Sequence, residues 1–283
     1  MSSILFDAPG PKARARYRIL GVVTAIVILL IVGFVLLRFA ESGQFDAKKW
    51  QLFTFPLVQQ TIAQSVGATL SAFGTAAVLS LVLGVLLAFG RLSDRRWISA
   101  PCYGFTELFR AVPLLILMMI FYYGLPTIGV QGITPFTAVV AGLVLYNGSV
   151  LAEVFRAGIE SLPRGQSEAG YAIGLPKSKV MTSILLPQAV RSMLPVIISQ
   201  LVVILKDTAL GFIVTYNEIL FQAKYFGSQI QYGSPIIPAA IVAAVLYVGM
   251  CLILAAIAKW LERRLSRKPG AAVTPAAAVP AEV

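Results

Sequence analysis

Long uncharged stretches alternate with short basic ones along this chain. Residues 19–37, 61–90 and 111–152 contain no Asp, Glu, Lys or Arg. A helix that crosses a bilayer needs about 20 consecutive apolar residues, so each stretch is long enough to span, and the third is long enough to do so twice. The pattern predicts an all-α, polytopic membrane protein of about six transmembrane helices, placed at 19–39, 61–90, 102–123, 135–151, 186–214 and 235–259. The connections are polar or turn-rich, at 41–50, 91–97, 124–135 and 156–187. Residues 1–18 form a basic N-terminus, and 261–283 form a basic, then Ala/Pro-rich tail whose composition predicts disorder.

Within the second predicted helix, Gly67, Ser71 and Thr75, and then Ser80, Gly84 and Ala88, place small residues four apart. Either two backbones approach closely there, or the series reflects ordinary membrane-helix composition. Pro187 and Pro195 predict kinks in the fifth helix. The first apolar run follows Lys12, Arg14, Arg16 and Arg18 and ends at Arg38. It is longer than the core of a cleaved signal peptide, so it is read as a retained helix.

Composition agrees with this pattern. The chain has 283 residues, 58% hydrophobic and 12% charged, with a mean hydropathy of +0.84. The net charge of +11 fits basic residues gathered in cytoplasmic loops and gives no reason to expect a nucleic-acid partner. With both termini cytoplasmic, seventeen of the twenty-three Lys and Arg fall in inner segments, four in outer ones and two within helices. No G-x-x-x-x-G-K-[ST] phosphate loop is present, so ATP hydrolysis of that kind belongs to another chain. The chain has no histidine and only Cys102 and Cys251, too few groups for a His/Cys metal site or a disulfide framework.

The polar stretch SEAGYAIGLPKSKVMTSILLPQA, residues 167–189, interrupts the apolar pattern. Glu168, Ala169 and Gly170 close a short predicted helix, Gly174 ends it in the left-handed conformation that glycine adopts cheaply, and Pro176 starts another. In this second helix Val180, Met181, Ile184 and Leu185 share a face, and that face needs a partner.

The spacing from Gly165, Glu168, Ala169 and Gly170 through Gly174 to Ile184, Leu186 and Pro187 resembles the EAA loop of ABC-importer permeases. AEVFRAGIESLPRGQ at 152–166, LPQAVRSMLP at 186–195 and LKDTAL at 205–210 are similar to the permeases for polar amino acids. The resemblance covers roughly 60–260. It implies a five-helix permease core, 57–260, preceded by one added N-terminal helix, with a cytoplasmic coupling loop at 156–187. It implies no catalysis by this chain: an ABC ATPase subunit would use ATP and Mg. It further implies an identical or homologous second permease subunit, an extracytoplasmic amino-acid-binding protein, and the bacterial inner membrane as the location. FDAPGP at 6–11 and the added helix look most like the glutamate permeases. An ATP-independent channel, a secondary transporter or an importer of another polar amino acid is the alternative.

Charges within spans are costly and mark pathways or partners. Arg110, read as about 12 Å inside the bilayer on a straight third helix, either meets a substrate carboxylate or pairs with Glu107. Lys206 and Asp207 are adjacent and do not face each other; with Thr208 they match a run in the family and either line the pathway or hold helices together. Glu153 and Arg156 match the family's Glu-x-x-Arg, either lining the pathway or bracing the loop. Tyr146 and Asn147 complete the predicted pathway set. Asn147-Gly148-Ser149 and Arg110-Ala111-Val112-Pro113 depart from the family's pattern.

Overall fold

The structure, a computed structural model, describes residues 10–266, with side chains to 260. Residues 1–9 of the predicted basic N-terminus and 267–283 of the predicted tail lie outside the described residues. The chain divides into two compact units, residues 10–60 with 223–242, and 61–222 with 243–266.

In chain order the helices are α1 (Pro11–Glu41), α2 (Ala47–Gln51), α3 (Pro56–Arg91), α4 (Arg96–Ala111), α5 (Leu114–Met119), α6 (Leu125–Thr127), α7 (Pro135–Glu160), α8 (Arg164–Ala172), α9 (Lys177–Lys179), α10 (Leu186–Asp207), α11 (Ile219–Gly227) and α12 (Ile236–Ser266). Among the described residues there is no strand. Among the described residues five helices are long and apolar enough to cross a membrane, at Pro11–Glu41, Pro56–Arg91, Pro135–Glu160, Lys177–Val214 and Ile236–Trp260. A bent pair, Arg96–Ala111 with Leu114–Thr127, makes up to six. The all-α, six-helix expectation therefore holds, with changes at the joints.

In the smaller unit α1 buries no residue and turns apolar side chains outward all round, the composition of a helix solvated by lipid. Rings cluster in the rest of that unit: Phe53 lies 6.3 Å from Trp50 and 6.4 Å from Phe226, and Phe55 lies 6.0 Å from Tyr232.

The larger unit is built around α7. Its start is fixed by a capping box, in which the Thr134 hydroxyl oxygen accepts from Thr137 N–H and Thr134 N–H donates to the Thr137 hydroxyl oxygen, with Pro135 at the first helical position. Buried residues then fall on every side of the helix, from Ala138 to Ile159. Gly148 lies against Leu83 of α3, and Gly84 of α3 lies against Leu151 and the Gly148 carbonyl; a Cβ on either glycine would come within 2.8 Å of the facing side chain. Small residues thus let α3 and α7 pack backbone to backbone, where lipid supplies no hydrophobic drive. The buried face of α3 runs through Ser65, Thr69, Ala72, Ala76, Ser80, Gly84 and Ala88. The second series noticed in the sequence lies on it, whereas Gly67, Ser71 and Thr75 are exposed.

The third helix departs most from expectation. It starts at Arg96 rather than 102 and bends by 96° between Ala111 and Leu114. Val112 is extended (φ −82°, ψ 125°) and so is Pro113 (φ −56°, ψ 133°), because a proline disfavours the helical region for the residue before it. The fourth helix runs past 151 to Glu160, carrying Glu153 and Arg156 with it. The fifth begins at Lys177: α9 passes through a π-helical stretch, Val180–Leu185, into α10 without a break. Pro187 lacks the N–H that a regular helix needs there, and the ladder is widened just ahead of it. Thr208–Val214 completes the segment as a 3-10 turn. Helix α11, in the segment before the last span, was not foreseen.

Candidate functional site

Two arrangements gather polar chemistry in the larger unit. The first is the loop after α7. Helix α8 ends in a Schellman closure: Gly174 N–H donates to the Tyr171 carbonyl at 2.9 Å, and Leu175 N–H to the Gly170 carbonyl at 3.1 Å. Gly174 takes φ +78°, which costs glycine little and other residues more. The chain folds back so that α8 packs on the start of the α9–α10 segment. A Cβ on Gly170 would lie 2.8 Å from Val180 Cγ2 and 3.1 Å from Ile184 Cδ1, so only glycine fits without displacing them. Gly170 and Val180 are buried and Ile184 is half-buried; the apolar face of the second helix thus finds its partner inside the loop. Gly165, Glu168, Ala169, Gly174 and Pro187 are exposed, and Leu186 is half-buried. Tyr171 and Ile173 are 47% and 76% exposed, a protruding apolar pair that sequence reasoning did not single out. Lys177 ties the loop to the α3–α4 turn through Asp94 and through the Leu92 carbonyl at 3.3 Å.

The second arrangement is a ladder of alternating charge across three helices. Arg110 contacts Glu107 at 3.2 Å, Glu107 faces Arg91 at 3.8 Å, and Arg91 contacts Glu153 at 2.9 Å. Arg156 then joins Glu153 to Glu160. Three cations meet three anions, so the ladder is neutral overall. Arg91 is its centre: its side chain is 8% exposed, and its guanidinium sits 5.1 Å from the centre of the Tyr103 ring. The ladder links the end of α3, the elbow helix α4 and the last turns of α7, which lead directly into the loop of α8.

The predicted pathway residues do not converge on one pocket. Arg110 and Glu153 share the ladder. Arg110 lies in the last turn of α4, ahead of the 96° bend, so the depth of about 12 Å reckoned on a straight helix does not apply. Asn147 is fully buried, donating to the Leu143 carbonyl at 3.1 Å and accepting from Gln200 of α10 at 2.7 Å, a bond that joins helices. Tyr146 is half-buried against the same core. Lys206 is exposed, Asp207 half-buried and Thr208 buried, its hydroxyl donating to the Leu205 carbonyl at 2.6 Å.

Sequence reasoning also missed Glu218, which is fully buried. It accepts from Leu220 and Phe221 N–H at 2.7 and 2.6 Å, capping α11, and from the Tyr247 hydroxyl at 2.6 Å. Burial pushes its carboxyl above the usual carboxylate range, against the pull of these donors. Its signal in the sequence is a lone acid within a long, otherwise mostly apolar stretch, 208–223.

Residues 80–267 match the family described as Binding-protein-dependent transport system inner membrane component. The chain belongs to this family. The permease is 40% identical over 227 residues to the Glutamate transport system permease protein GluD of Corynebacterium glutamicum, covering 79% of this chain and 82% of that one. It is 33% identical over 208 residues to the Arginine transport system permease protein ArtQ of Bacillus subtilis, covering 72% and 92%. Among solved structures it resembles an amino acid ABC transporter crystallised with histidines, at 27% identity and a TM-score of 0.66, over 73% of this chain and 94% of that one. A bacterial transporter of alginate shares the fold at 15% identity, TM-score 0.63, over 90% and 98%. The permease is thus an inner-membrane transport component with several membrane-spanning helices, and ATP hydrolysis belongs to a separate subunit. ABC importer permeases work with that ATPase and with a periplasmic binding protein.

Proposed function

We propose that the permease forms the membrane pathway of an ATP-driven importer of polar amino acids, with glutamate as its substrate. The loop around α8 is its coupling element, received by the ATPase. The observation that carries the coupling role is the Schellman-closed α8, which packs Gly170 inward and leaves Glu168, Tyr171 and Ile173 outward. A short rigid helix with an exposed apolar tip can be seated in a groove and moved as one piece. ATP and Mg are held by the partner, and a second permease subunit, identical or homologous, completes the pathway.

Support for an amino acid comes from relatives named for glutamate, arginine and glutamine transport. Support for glutamate comes from the 40% identity to a glutamate permease. Arg110 adds little to it, since Glu107 occupies its guanidinium; Lys206, exposed and with Asp207 beside it in sequence, is the cation better placed to meet an acidic solute.

The test is uptake of labelled glutamate into vesicles that hold this chain with its ATPase and binding protein, with arginine and glutamine as competitors. ATP-dependent uptake that unlabelled glutamate alone suppresses, and that Glu168→Lys abolishes while the protein still inserts, is the expected result. Suppression by arginine or glutamine instead moves the substrate within the class. Uptake that ignores ATP sinks the importer reading.

A further inference from the structure

The turn between α3 and α4, tied to the loop through Asp94, also carries two exposed arginines, Arg95 and Arg96, that neither the loop nor the ladder uses. Where the uncharged run of α3 ends, a cleft of about 380 Å³ opens between this turn and the start of the α9–α10 segment. Apolar Phe89, Leu92 and Met181 line it together with charged Arg95, Lys177 and Asp94 and the hydroxyls of Ser93 and Ser178. Beside it lies a second cavity of about 140 Å³, walled only by apolar side chains, among them Val85, Phe155 and Leu186. Phe89 lines both. Val85 precedes Phe89 by about one helical turn, so the apolar cavity lies further into the span and the charged cleft at its end.

The polarity of the pair therefore follows that of a bilayer leaflet. Trp97, 70% exposed in the first turn of α4, marks the level of the headgroups, where tryptophan concentrates. Charge at the cleft is unbalanced: Asp94 engages Lys177, while Arg95, Arg96 and Lys179 are exposed around them. A ligand that fits has an anionic head and an apolar tail.

We propose that the two cavities form one binding site for an anionic phospholipid of the membrane, its phosphate held at Arg95 and Lys177 and an acyl chain lying against Phe89. Basic pockets between membrane helices on the cytoplasmic side are suited to such headgroups. The site rests on insertion of the chain in a membrane and not on its cargo, so it stands whichever amino acid is carried. Bound lipid would brace the α3–α4 turn against the coupling loop at the point where Lys177 already bridges them.

The test uses the full chain with Trp50→Phe and Trp260→Phe, which leaves Trp97 as the single tryptophan. The protein is reconstituted in phosphatidylcholine vesicles titrated over the same range of mole fractions with either brominated phosphatidylglycerol or brominated phosphatidylcholine, and quenching of Trp97 fluorescence is read. Phosphatidylglycerol should quench at lower mole fraction, by on the order of fivefold per cation engaged. Arg95→Gln with Lys177→Gln should remove the preference, and Lys259→Gln, which removes an exposed cation elsewhere, should leave it. Equal quenching by the two lipids overturns the site. So does a preference that survives the double substitution, or one that Lys259→Gln weakens as much. Loss of the preference on adding the ATPase subunit also overturns it, assigning the cleft to a protein partner.

Discussion

Arg91 holds Glu153 at 2.9 Å with its side chain almost wholly out of solvent, and Glu107 and Tyr103 fill the remaining approaches. A buried cation persists only when such partners surround it. Arg91→Ala should lower the thermal midpoint of the detergent-solubilised protein, because it leaves Glu153 with Arg156 alone and Glu107 with Arg110 alone. Arg91→Lys should recover only part of the loss, since a point charge cannot reach two carboxylates and stack on a ring as a planar fork does. A double-mutant cycle between Arg91→Ala and Glu153→Ala should give a coupling of about 0.5–3 kcal/mol, the range for groups in one network; additive effects would mean that the two do not interact. At Gly170 the expected change is of the opposite kind. Gly170→Ala adds a methyl group where Val180 and Ile184 already stand, an overpacking of about 1–3 kcal/mol, and should separate α8 from the segment beneath it. Uptake should fall more than membrane insertion does.

At the scale of elements, the turn after α8 and the bend before α5 differ in how they could be read. Gly174 was legible from the sequence because its requirement is local: a helix ending in a left-handed residue selects glycine whatever surrounds it. Gly174→Ala should destabilise the loop by about 1–2 kcal/mol, the cost of the left-handed conformation for a residue with a Cβ, while Gly174→Asn should cost less, since asparagine visits that region more readily. Thermal midpoints and ATP-dependent uptake of the two variants check the order, and an alanine variant no worse than asparagine would mean that the closure does not matter. The bend at Val112–Pro113 was hidden although the proline was in plain view. The uncharged run continues through it from 111 to 152, and hydropathy reports which residues tolerate lipid, not the direction of the helix that carries them. The ladder was hidden for another reason. Glu107–Arg110 and Glu153–Arg156 are spaced for pairing on one helix, but Arg91 meets them only because α3, α4 and α7 converge. Asn147 shows the same limit: its polarity suggested a cavity wall, whereas Gln200, distant in sequence, satisfies it.

At the scale of the whole molecule, the question with most consequence is which side of the membrane carries α8. The basic residues give one answer: the segments at 91–97 and 156–191 are rich in Arg and Lys, while 124–135, at the other end of α7, contains none. Cytoplasmic loops collect such residues, which assigns α8 and the α3–α4 turn to the inner face and the stretch before α7 to the outer. The fold is consistent with that division, since α7 is a single helix whose capped start lies after the uncharged connector and whose end carries Glu153, Arg156 and Glu160. Single cysteines can decide it. With Cys102 and Cys251 replaced by serine, Gln131→Cys should react with a membrane-impermeant maleimide on intact cells, and Ser178→Cys should react only after the membrane is opened. Both positions are exposed in the fold, so failure to label reflects the membrane and not burial in this chain. The reverse labelling would put α8 outside, beyond reach of any ATP-hydrolysing subunit in the cytoplasm. Membership of the family would then stand, but the coupling role of Glu168, Tyr171 and Ile173 would not.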